Sequence, residues 1–347
     1  MLNMALIGIG YWGPNIARSF ASTGKVTIQW LCDVNPTRLE KVAARYPEAK
    51  VTAELHRVLE DESIGAVSIA TPTSTHYDIA KKALEYGKHV LIEKPIVTHS
   101  EQALHLIRLA QKHQKILMVG HVFEYNATVR ALHNLIHSEE LGELHYLNFE
   151  RTNLGPIRTD VNVLWDLAPH DVSIMCYLLG KNPQHVTARG QAFLNAGIED
   201  TVFATFTFPN NIIAHVHVSW LNPRKIRQIT VVGNKKMAVW DDLELRYPIQ
   251  IYDKRIEEPA DLHDTFLAYK TQVVDGGVYL PTIPINQPLQ AECEHFIECI
   301  EQGCTPCSDG YSGLRVVLAL EAATASMVNN SVITPVHIPA RESIFTS

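Results

Sequence analysis

The chain has 347 residues, of which 46% are hydrophobic and 19% charged, and its net charge is -7. This composition supports a large core and argues against disorder and against a basic surface for nucleic acid, and the length predicts two domains of roughly 100–200 residues. The apolar runs fall short of the ~20 residues that span a bilayer, and the N-terminal segment is typical of a first strand rather than a signal peptide, so we expect a cytoplasmic protein that binds no membrane.

Strands and helices alternate over the first part of the chain, a pattern typical of a parallel sheet with helices on both faces. The predicted strands are Asn3–Ile9, Val26–Asp33, Ala66–Ala70, His89–Glu93 and Ile116–Gly120. The predicted helices are Pro14–Ser22, Pro36–Tyr46, Leu55–Glu60, Thr75–Tyr86 and Ser100–His113. We therefore predict an α/β domain over residues 1–123.

The pattern changes after Phe123, where longer β-type segments follow a helix near Thr128–His137. The predicted strands are Glu143–Thr152, His185–Phe193, Thr201–Phe208, Ile212–Trp220, Ile226–Val232 and Met237–Trp240. Tight turns separate most of them, which indicates a largely antiparallel sheet. The proline-rich stretch Tyr247–Pro288 is predicted as loops, and helices near Leu289–Gln302 and Gly313–Asn329 close the chain. We predict a second domain over 124–347 for substrate binding and oligomerisation, with closing helices that can pack back on the first domain.

A G-x-G-x-x-G motif directly follows the first predicted strand and opens the first predicted helix. Glycine allows a tight turn and the close approach of a pyrophosphate, whose charge the helix N terminus meets. Asp33 lies twenty residues further on at a strand end, where a carboxylate accepts hydrogen bonds from the adenosine ribose and repels a 2′-phosphate. NAD is therefore the predicted cofactor, although Asp33 is alternatively a solvated acid and Arg38 leaves NADP open. The predicted contacts in the motif are Gly8, Gly10, Tyr11, Trp12 and Gly13.

Two further predicted strands end in polar residues at the same edge of the sheet. The turn after Ala66–Ala70 can line the nicotinamide half of the cofactor or cap the next helix. After His89–Glu93, Pro95 disfavours the α region for Lys94 and holds this lysine extended at the strand end, where an ordinary surface pair with Glu93 is the alternative. The predicted contacts in these segments are Thr71, Pro72, Thr73, His76, Glu93 and Lys94.

The segment Trp165–Asp171 is the second candidate site. Asp166 and His170 share one face if a helix starts here with Pro169 in its first turn, and a carboxylate beside an imidazole can relay a proton. The alternative is that Asp166 is a helix N-cap and His170 an interior histidine; no third ligand lies nearby, so no metal is predicted. The preceding polar run either binds sugar hydroxyls or a diphosphate or is a solvated loop. Its candidate substrate contacts are Arg151, Asn153, Arg158 and Asn162.

Two other segments contain residues that could bind a ligand or react. The basic segment Trp220–Arg227 is interpreted as a sheet edge or subunit contact rather than a substrate clamp. Cysteines cluster near the C terminus at Cys293, Cys299, Cys304 and Cys307. The last two have the C-x-x-C spacing of zinc and redox sites, but no second such pair accompanies them, and the first two lie on an amphipathic helix where cysteine is commonly just buried. We favour the structural interpretation.

These segments together resemble the glucose–fructose oxidoreductase/inositol dehydrogenase (Gfo/Idh/MocA) superfamily over nearly the whole chain. The resemblance is carried by Gly8–Gly13, Asp33, Thr71-Pro72, Glu93-Lys94-Pro95, the Asp166/His170 pair and the closing helices from Phe296 to Val317. It implies an N-terminal Rossmann domain, then an α+β domain with a large open, mostly antiparallel sheet, through which homodimers or homotetramers form. It also implies reversible oxidation of a sugar or cyclitol hydroxyl, in which Lys94 and His170 share the acid/base work and Asp166 orients the substrate.

The residues ahead of Asp166 depart from the superfamily's common pattern, because Val161–Trp165 stands where many members have a glycine run. The form Asn153–Pro156 followed by Asn162–Asp171 resembles the branch of UDP-N-acetyl-amino-sugar 3-dehydrogenases. That branch implies oxidation at C3 of a nucleotide sugar such as UDP-GlcNAc or its uronate, for a partner aminotransferase in lipopolysaccharide biosynthesis. An inositol or free-sugar dehydrogenase and a non-catalytic NAD-binding sugar sensor are the alternatives; the complete acid/base set favours an enzyme.

Overall fold

The computed structural model describes residues 1–257 and 272–345, and the chain divides into two compact units. The first unit comprises Met1–Asn126, Asn286–Glu321 and Ile338–Ser347, and the second comprises Ala127–Ile285 and Ala322–His337. The predicted boundary lay between residues 123 and 124, and the predicted closing helices contribute to both units. Among the described residues, no helix has the length and apolar character needed to cross a membrane.

The first unit contains the predicted parallel sheet. Its strands are β1 (Leu2–Ile7), β2 (Val26–Cys32), β3 (Lys50–Thr52), β4 (Ala66–Ile69), β5 (His89–Glu93) and β6 (Leu117–Gly120). Its helices are α1 (Gly13–Ser22), α2 (Pro36–Ala43), α3 (Leu55–Leu59), α4 (His76–Glu85) and α5 (Ser100–Lys112). In the described part the strand order is β3-β2-β1-β4-β5-β6, with every pair parallel, which confirms the predicted Rossmann fold. The order reverses between β1 and β4, the switch point at which such sheets bind ligands.

The second unit contains the predicted open, mostly antiparallel sheet. Helix α6 (Ala127–His137) precedes it and α7 (Val163–Leu179) packs on it. Its strands are β7 (Leu144–Leu154), β8 (His185–Gln191), β9 (Thr201–Thr207), β10 (Ile213–Ser219), β11 (Leu221–Gly233), β12 (Met237–Asp241), β13 (Ile249–Glu257), β14 (Gln272–Tyr279) and β15 (Thr334–Pro335). Within the described ranges their order is β14-β13-β12-β11-β7-β10-β9-β8-β15, and only β7 and β10 pair in parallel.

Strands β13 and β14 correct the prediction of loops over Tyr247–Pro288. In β13 the buried Ile249 and Ile251 alternate with partly exposed residues, as in a strand with one covered face. Strand β14 lies at the sheet edge and carries Gly276-Gly277, a composition that hides a strand because it neither alternates nor favours the β region. The middle of the predicted loop, residues 258–271, lies outside the described residues.

Alternation along the central strands separates a covered sheet face from an open one. Ala214, Val216 and Val218 of β10 are buried, and α7 packs on β7, β9 and β10. The opposite face, called here the open face, carries Tyr146, Phe203, Ile213, His215 and His217. The rings of its Phe203 and His217 stack with centroids 4.3 Å apart. This face therefore exposes large apolar side chains beside histidines.

Two helices close the chain, α8 (Pro288–Gln302) and α9 (Gly310–Val328). Helix α8 belongs to the first unit and packs on α1, where the rings of Phe20 and Phe296 meet edge to face at 6.1 Å. Cys293 and Ile297 are buried in the same core. The helix that begins at the glycine motif is thus held in place by a helix from the other end of the chain.

Candidate active site

The glycine motif forms a loop whose backbone stays accessible. Gly8 has φ +94°, and a Cβ there would lie 2.6 Å from the backbone of Ala70. A side chain at Gly13 would collide with the carbonyl oxygen of Gly8, whereas the nearest atom to a Cβ at Gly10 would be Arg38 Nη1 at 3.9 Å. The loop leads into the N terminus of α1, and Tyr11 and Trp12 on it are exposed. This cradle suits a pyrophosphate.

Asp33 ties the end of β2 to the glycine loop. Its Oδ2 accepts the backbone N–H of Ile9 at 2.6 Å, and its Oδ1 accepts that of Asn35 at 2.8 Å. Because an ionised carboxylate has about four acceptor sites, Asp33 retains lone pairs for ribose hydroxyls. The residues around this loop therefore fit NAD.

His76 joins the loops that follow β4 and β5. Its ring is buried, with Nε2 at 2.9 Å from the carbonyl oxygen of Thr71 and Nδ1 at 3.0 Å from that of Pro95. Burial lowers the pKa of His76, while the backbone carbonyls beside its ring act in the opposite direction. Thr75 lies in the short helix Thr73–Thr75, which follows Pro72. Its Oγ1 donates to Thr71 Oγ1 at 2.8 Å. The predicted cofactor turn is thereby anchored to the Lys94 segment.

Lys94 lies at the carboxyl end of β5, as predicted, and its peptide bond to Pro95 is cis. Its backbone N–H donates to Glu93 Oε2 at 3.2 Å. Burial raises the pKa of Glu93 to about 7, while the charge of Lys94 acts in the opposite direction. A Cβ at Gly120 on the neighbouring β6 would come within 3.3 Å of the same carboxyl oxygen. The carboxyl group is therefore enclosed, and near neutral pH it exists in both protonation states.

His121, directly after β6, is a residue that the sequence reasoning missed. It is buried, and neither ring nitrogen has a hydrogen-bond partner among the described residues. Burial, with the charges of Arg315 and Lys94, lowers the pKa of His121 to about 3, so the ring is neutral. It offers one donor and one acceptor at the sheet edge that carries Lys94. The rule that identified Lys94, a polar residue just past a buried strand, applies equally to His121.

The helix that carries Asp166 and His170 begins earlier than predicted. Asn162 is its N-cap: Oδ1 accepts the Trp165 N–H at 3.1 Å, and Nδ2 donates to Glu199 Oε2 at 2.7 Å. The alternative that Asp166 is the N-cap and the expectation of Pro169 in the first turn are therefore wrong. Asn162 determines where the helix begins, because its side chain accepts a backbone hydrogen bond from the first turn and is itself held in place by Glu199. Asp166 and His170 remain one turn apart on one face.

Asp166 is held by two side-chain donors, one of them distant in sequence. Arg158 Nη1 donates to its Oδ1 at 3.0 Å, and Trp220 Nε1 donates to its Oδ2 at 3.1 Å. Arg158 also donates twice to Asp160, and these carboxylates raise the pKa of Arg158. His170 is partly exposed on the next turn. Trp220, interpreted from sequence as part of a sheet edge or subunit contact, thus acts as a fixed donor to a candidate catalytic residue.

The rest of the polar run divides into different roles. Arg151 on β7 makes three hydrogen bonds of 2.8–3.1 Å to Asp171, in an ion pair whose side chains are 6% and 3% exposed. This pair fastens α7 to the sheet, and Asn162 fixes the start of the same helix. Asn153 Oδ1 is buried without a partner among the described residues, beside Gly155, and remains available to a ligand.

No three His, Cys, Asp or Glu side chains within residues 1–257 and 272–345 are grouped so that they could hold a metal ion. The first unit carries a dinucleotide cradle and a lysine at a strand end, and the second unit carries a carboxylate–imidazole pair on a helix. This set supports redox chemistry with a nicotinamide cofactor and proton transfer by side chains.

Models of one family match both parts of the chain. Residues 2–121 match the oxidoreductase family with the NAD-binding Rossmann fold, and residues 129–239 match the GFO/IDH/MocA C-terminal domain. The chain is 28% identical over 319 residues to UDP-N-acetylglucosamine 3-dehydrogenase of Acidithiobacillus ferrooxidans, covering 92% of this chain and 95% of that protein. A solved structure of that enzyme has a TM-score of 0.77 at 27% identity, over 94% of this chain and 98% of the other.

A second relative acts on a cyclitol. The scyllo-inositol 2-dehydrogenase (NAD(+)) of Bacillus subtilis is 26% identical over 318 residues, 87% of each chain. Both relatives are dehydrogenases by name, and both match nearly end to end. With the glycine cradle, Asp33 and the matched models, these similarities show that the chain belongs to the GFO/IDH/MocA family and is an oxidoreductase whose cofactor is NAD.

Proposed function

We propose that this protein oxidises the C3 hydroxyl of a nucleotide-linked amino sugar, such as UDP-GlcNAc or its uronate, to the 3-keto sugar. The observation that carries the proposal is Lys94 at the strand end beside the NAD cradle, in a chain similar over nearly its full length to a UDP-N-acetylglucosamine 3-dehydrogenase. NAD, when bound, supplies the hydride acceptor. The loop Gly8–Gly13 and the N terminus of α1 would hold its pyrophosphate, Asp33 its adenosine ribose, and Thr71–Thr73 with His121 its nicotinamide end.

The acid/base work falls to Lys94 and His170. Lys94 takes the proton of the sugar hydroxyl, and His170 shares that proton as the second group of the relay. Asp166 is an acceptor that Arg158 and Trp220 hold still, so it suits a neighbouring sugar hydroxyl and orients the ring. Asn153 and Arg158 are the proposed contacts for the rest of the nucleotide sugar, because Asn153 Oδ1 is buried without a partner among the described residues and Arg158 is a donor beside Asp166.

An inositol or free-sugar dehydrogenase is the second candidate, supported by the 26% identity to the Bacillus subtilis inositol enzyme. The two candidates share every residue of the proposed acid/base set and differ in what lies beyond the oxidised ring. The carboxylate of Asp166 suits either ring. A sensor without catalysis is disfavoured because Lys94, Asp166 and His170 are all present.

The test is a substrate panel. UDP-GlcNAc, UDP-GlcNAc uronate, myo-inositol and free N-acetylglucosamine are each supplied with NAD, and NADH formation is followed by absorbance. The product is then reduced with borodeuteride, and NMR locates the deuterium. We expect a UDP-sugar to be oxidised with the highest kcat/KM and the deuterium to lie at C3. Faster oxidation of inositol or of the free sugar, or deuterium at another carbon, would overturn the proposal.

We further propose that the protein works as a homodimer or homotetramer in the cytoplasm. The open face, with the exposed Tyr146, Phe203 and Ile213, supports the assembly, since such apolar patches commonly mark interfaces. The six free thiols support a reducing compartment. The 3-keto group is a substrate for transamination, so an aminotransferase of lipopolysaccharide biosynthesis is the proposed next enzyme. Light scattering that shows only monomer at micromolar concentration would contradict the assembly.

A further inference from the structure

The C-terminal end of α8 carries thiols that the proposed reaction does not use. Cys299 is buried in the last turn of the helix, and Gly303 ends the helix in the left-handed conformation with φ +67°. Cys304 follows immediately and is partly exposed, and Cys307 is exposed. With His295, one turn before Cys299, these residues form what we call the thiol cluster. The whole cluster lies in the first unit.

Hydrogen bonds link the side chains of the thiol cluster in a defined order of donors and acceptors. The Cys304 thiol donates to Cys299 Sγ at 3.4 Å, and Cys299 Sγ lies 3.5 Å from His295 Nε2. The backbone N–H of Cys307 donates to the same Nε2 at 3.3 Å, so this nitrogen is an acceptor. Nδ1 of the ring, 3.8 Å from Glu298 Oε2, then carries the proton. The Cys299 thiol therefore donates towards His295, and its sulfur receives the thiol of Cys304.

The third thiol of the cluster, that of Cys307, has a hydrogen-bond partner outside the cluster. Cys307 Sγ donates to the Tyr125 hydroxyl at 3.1 Å. The closest thiol pair is thus Cys299 with Cys304 rather than the pair with C-x-x-C spacing. The two sulfur atoms need to approach by only about 1.4 Å to reach the length of a disulfide bond. Among the described residues the cluster is not arranged as a metal site.

We propose that Cys299 and Cys304 are a redox-modification site, at which hydrogen peroxide converts the two thiols to an intramolecular disulfide. The Cys304 thiol loses its proton and the thiolate attacks the peroxide; the O–O bond breaks, and the departing hydroxide takes up that proton as water, with Cys304 left as the sulfenic acid. His295 takes the proton of Cys299, whose thiolate attacks the sulfenic sulfur and expels hydroxide, which takes the proton back as water. Two thiols lose two electrons and two protons in total, and the peroxide is reduced to two waters.

The position of the pair gives the disulfide a structural effect. It would bind the last turn of α8 to the residue just past Gly303, and α8 is the helix that packs on α1. Burial, and the bond from Cys304, raise the pKa of Cys299 above its ordinary range. Formation of its thiolate therefore depends on an adjacent base, and His295 is the imidazole in contact with it.

The test uses the full-length protein, purified under reducing conditions and treated with one equivalent of hydrogen peroxide. After alkylation, a protease that cleaves after glutamate places Cys299 in the peptide 299–301 and both other thiols of the cluster in 302–321. We expect these two peptides to be joined and two hydrogen atoms to be lost. Cys304→Ser should abolish the joined peptide, and Cys307→Ser and the distant Cys176→Ser should retain it.

A variant that lacks the base tests the proposal further. His295→Asn should slow formation of the disulfide by roughly 100-fold, because it removes the base but no sulfur. Thermal melting and NAD titration of each variant before oxidation check that it is folded; Cys304→Ser, at a partly exposed position, is expected to pass. A bridge inside 302–321, no bridge in the wild type, or one equivalent of copurified zinc would each overturn the proposal.

Discussion

The ion pair between Arg151 and Asp171 tests whether a residue predicted to contact substrate instead holds α7, the helix of the proposed catalytic residues, in place. Its three hydrogen bonds and the 6% and 3% exposure of its side chains make it one of the most enclosed charge pairs described. Removing one partner leaves the other charge buried, which costs about 3–5 kcal/mol. Replacing both by apolar side chains of similar volume removes both charges and is often nearly neutral.

We therefore expect Arg151→Met and Asp171→Leu each to lower the free energy of unfolding by about 3–5 kcal/mol, and the double variant to lose far less than the sum. Urea unfolding followed by circular dichroism measures all three. Arg227→Met is the matched control, because its pair with Asp242 on the same sheet is partly exposed and should be worth about 1 kcal/mol or less.

Two results would refute this reasoning. Strictly additive losses in the double variant would show that the two charges are not coupled. A double variant that is stable but has a KM for the sugar raised more than roughly tenfold would return Arg151 to the role predicted from sequence, as a substrate contact. We expect the double variant to recover most of the lost stability and to have a KM for the sugar close to that of the wild type.

Three further predictions concern single residues. Folding raises the pKa of Glu93 from 4.5 to about 7. The stability that its carboxyl group contributes is therefore complete below the lower of these pKa values and is lost as pH rises towards the higher one. In Glu93→Gln, the melting temperature should depend less on pH over this range. Asp33→Ala should weaken NAD binding, measured by fluorescence titration, by roughly 10–100-fold. It should change the rate of the chemical step by a smaller factor. Trp220→Phe removes the donor to Asp166 and keeps a smaller aromatic ring, and it should raise the KM for the sugar by roughly tenfold with unchanged NAD affinity.

The NAD half of the site was predictable because it depends on local patterns. In a parallel sheet the carboxyl ends of all strands lie at one edge, so strand periodicity placed Gly8–Gly13, Asp33 and Lys94 once the glycine motif, its spacing to Asp33 and the proline after Lys94 had marked them. His121 obeys the same rule and was missed because no motif surrounds it. The short strand β3 was missed because three residues show no clear periodicity.

The polar residues of the second unit were less predictable because their partners are distant in sequence. Local patterns show that Arg151 and Asn162 are polar, but only folding brings Asp171 to the former and Glu199 to the latter. Whether a polar side chain is committed to the protein or available to a ligand depends on such partners. The same holds for Trp220, whose ring nitrogen reaches Asp166 from 54 residues away.

The central claim is that Lys94 accepts the hydroxyl proton and shares this work with His170. Single-turnover NADH formation with UDP-GlcNAc measures it most directly, for Lys94→Ala, His170→Ala, the double variant and the exposed control Lys82→Ala. We expect each single change at the first two positions to slow the step by roughly 10²–10⁴-fold with NAD affinity retained, and the double variant to lose less than the product. Near-normal turnover in His170→Ala would leave Lys94 as the sole base, and near-normal turnover in Lys94→Ala would contradict the mechanism.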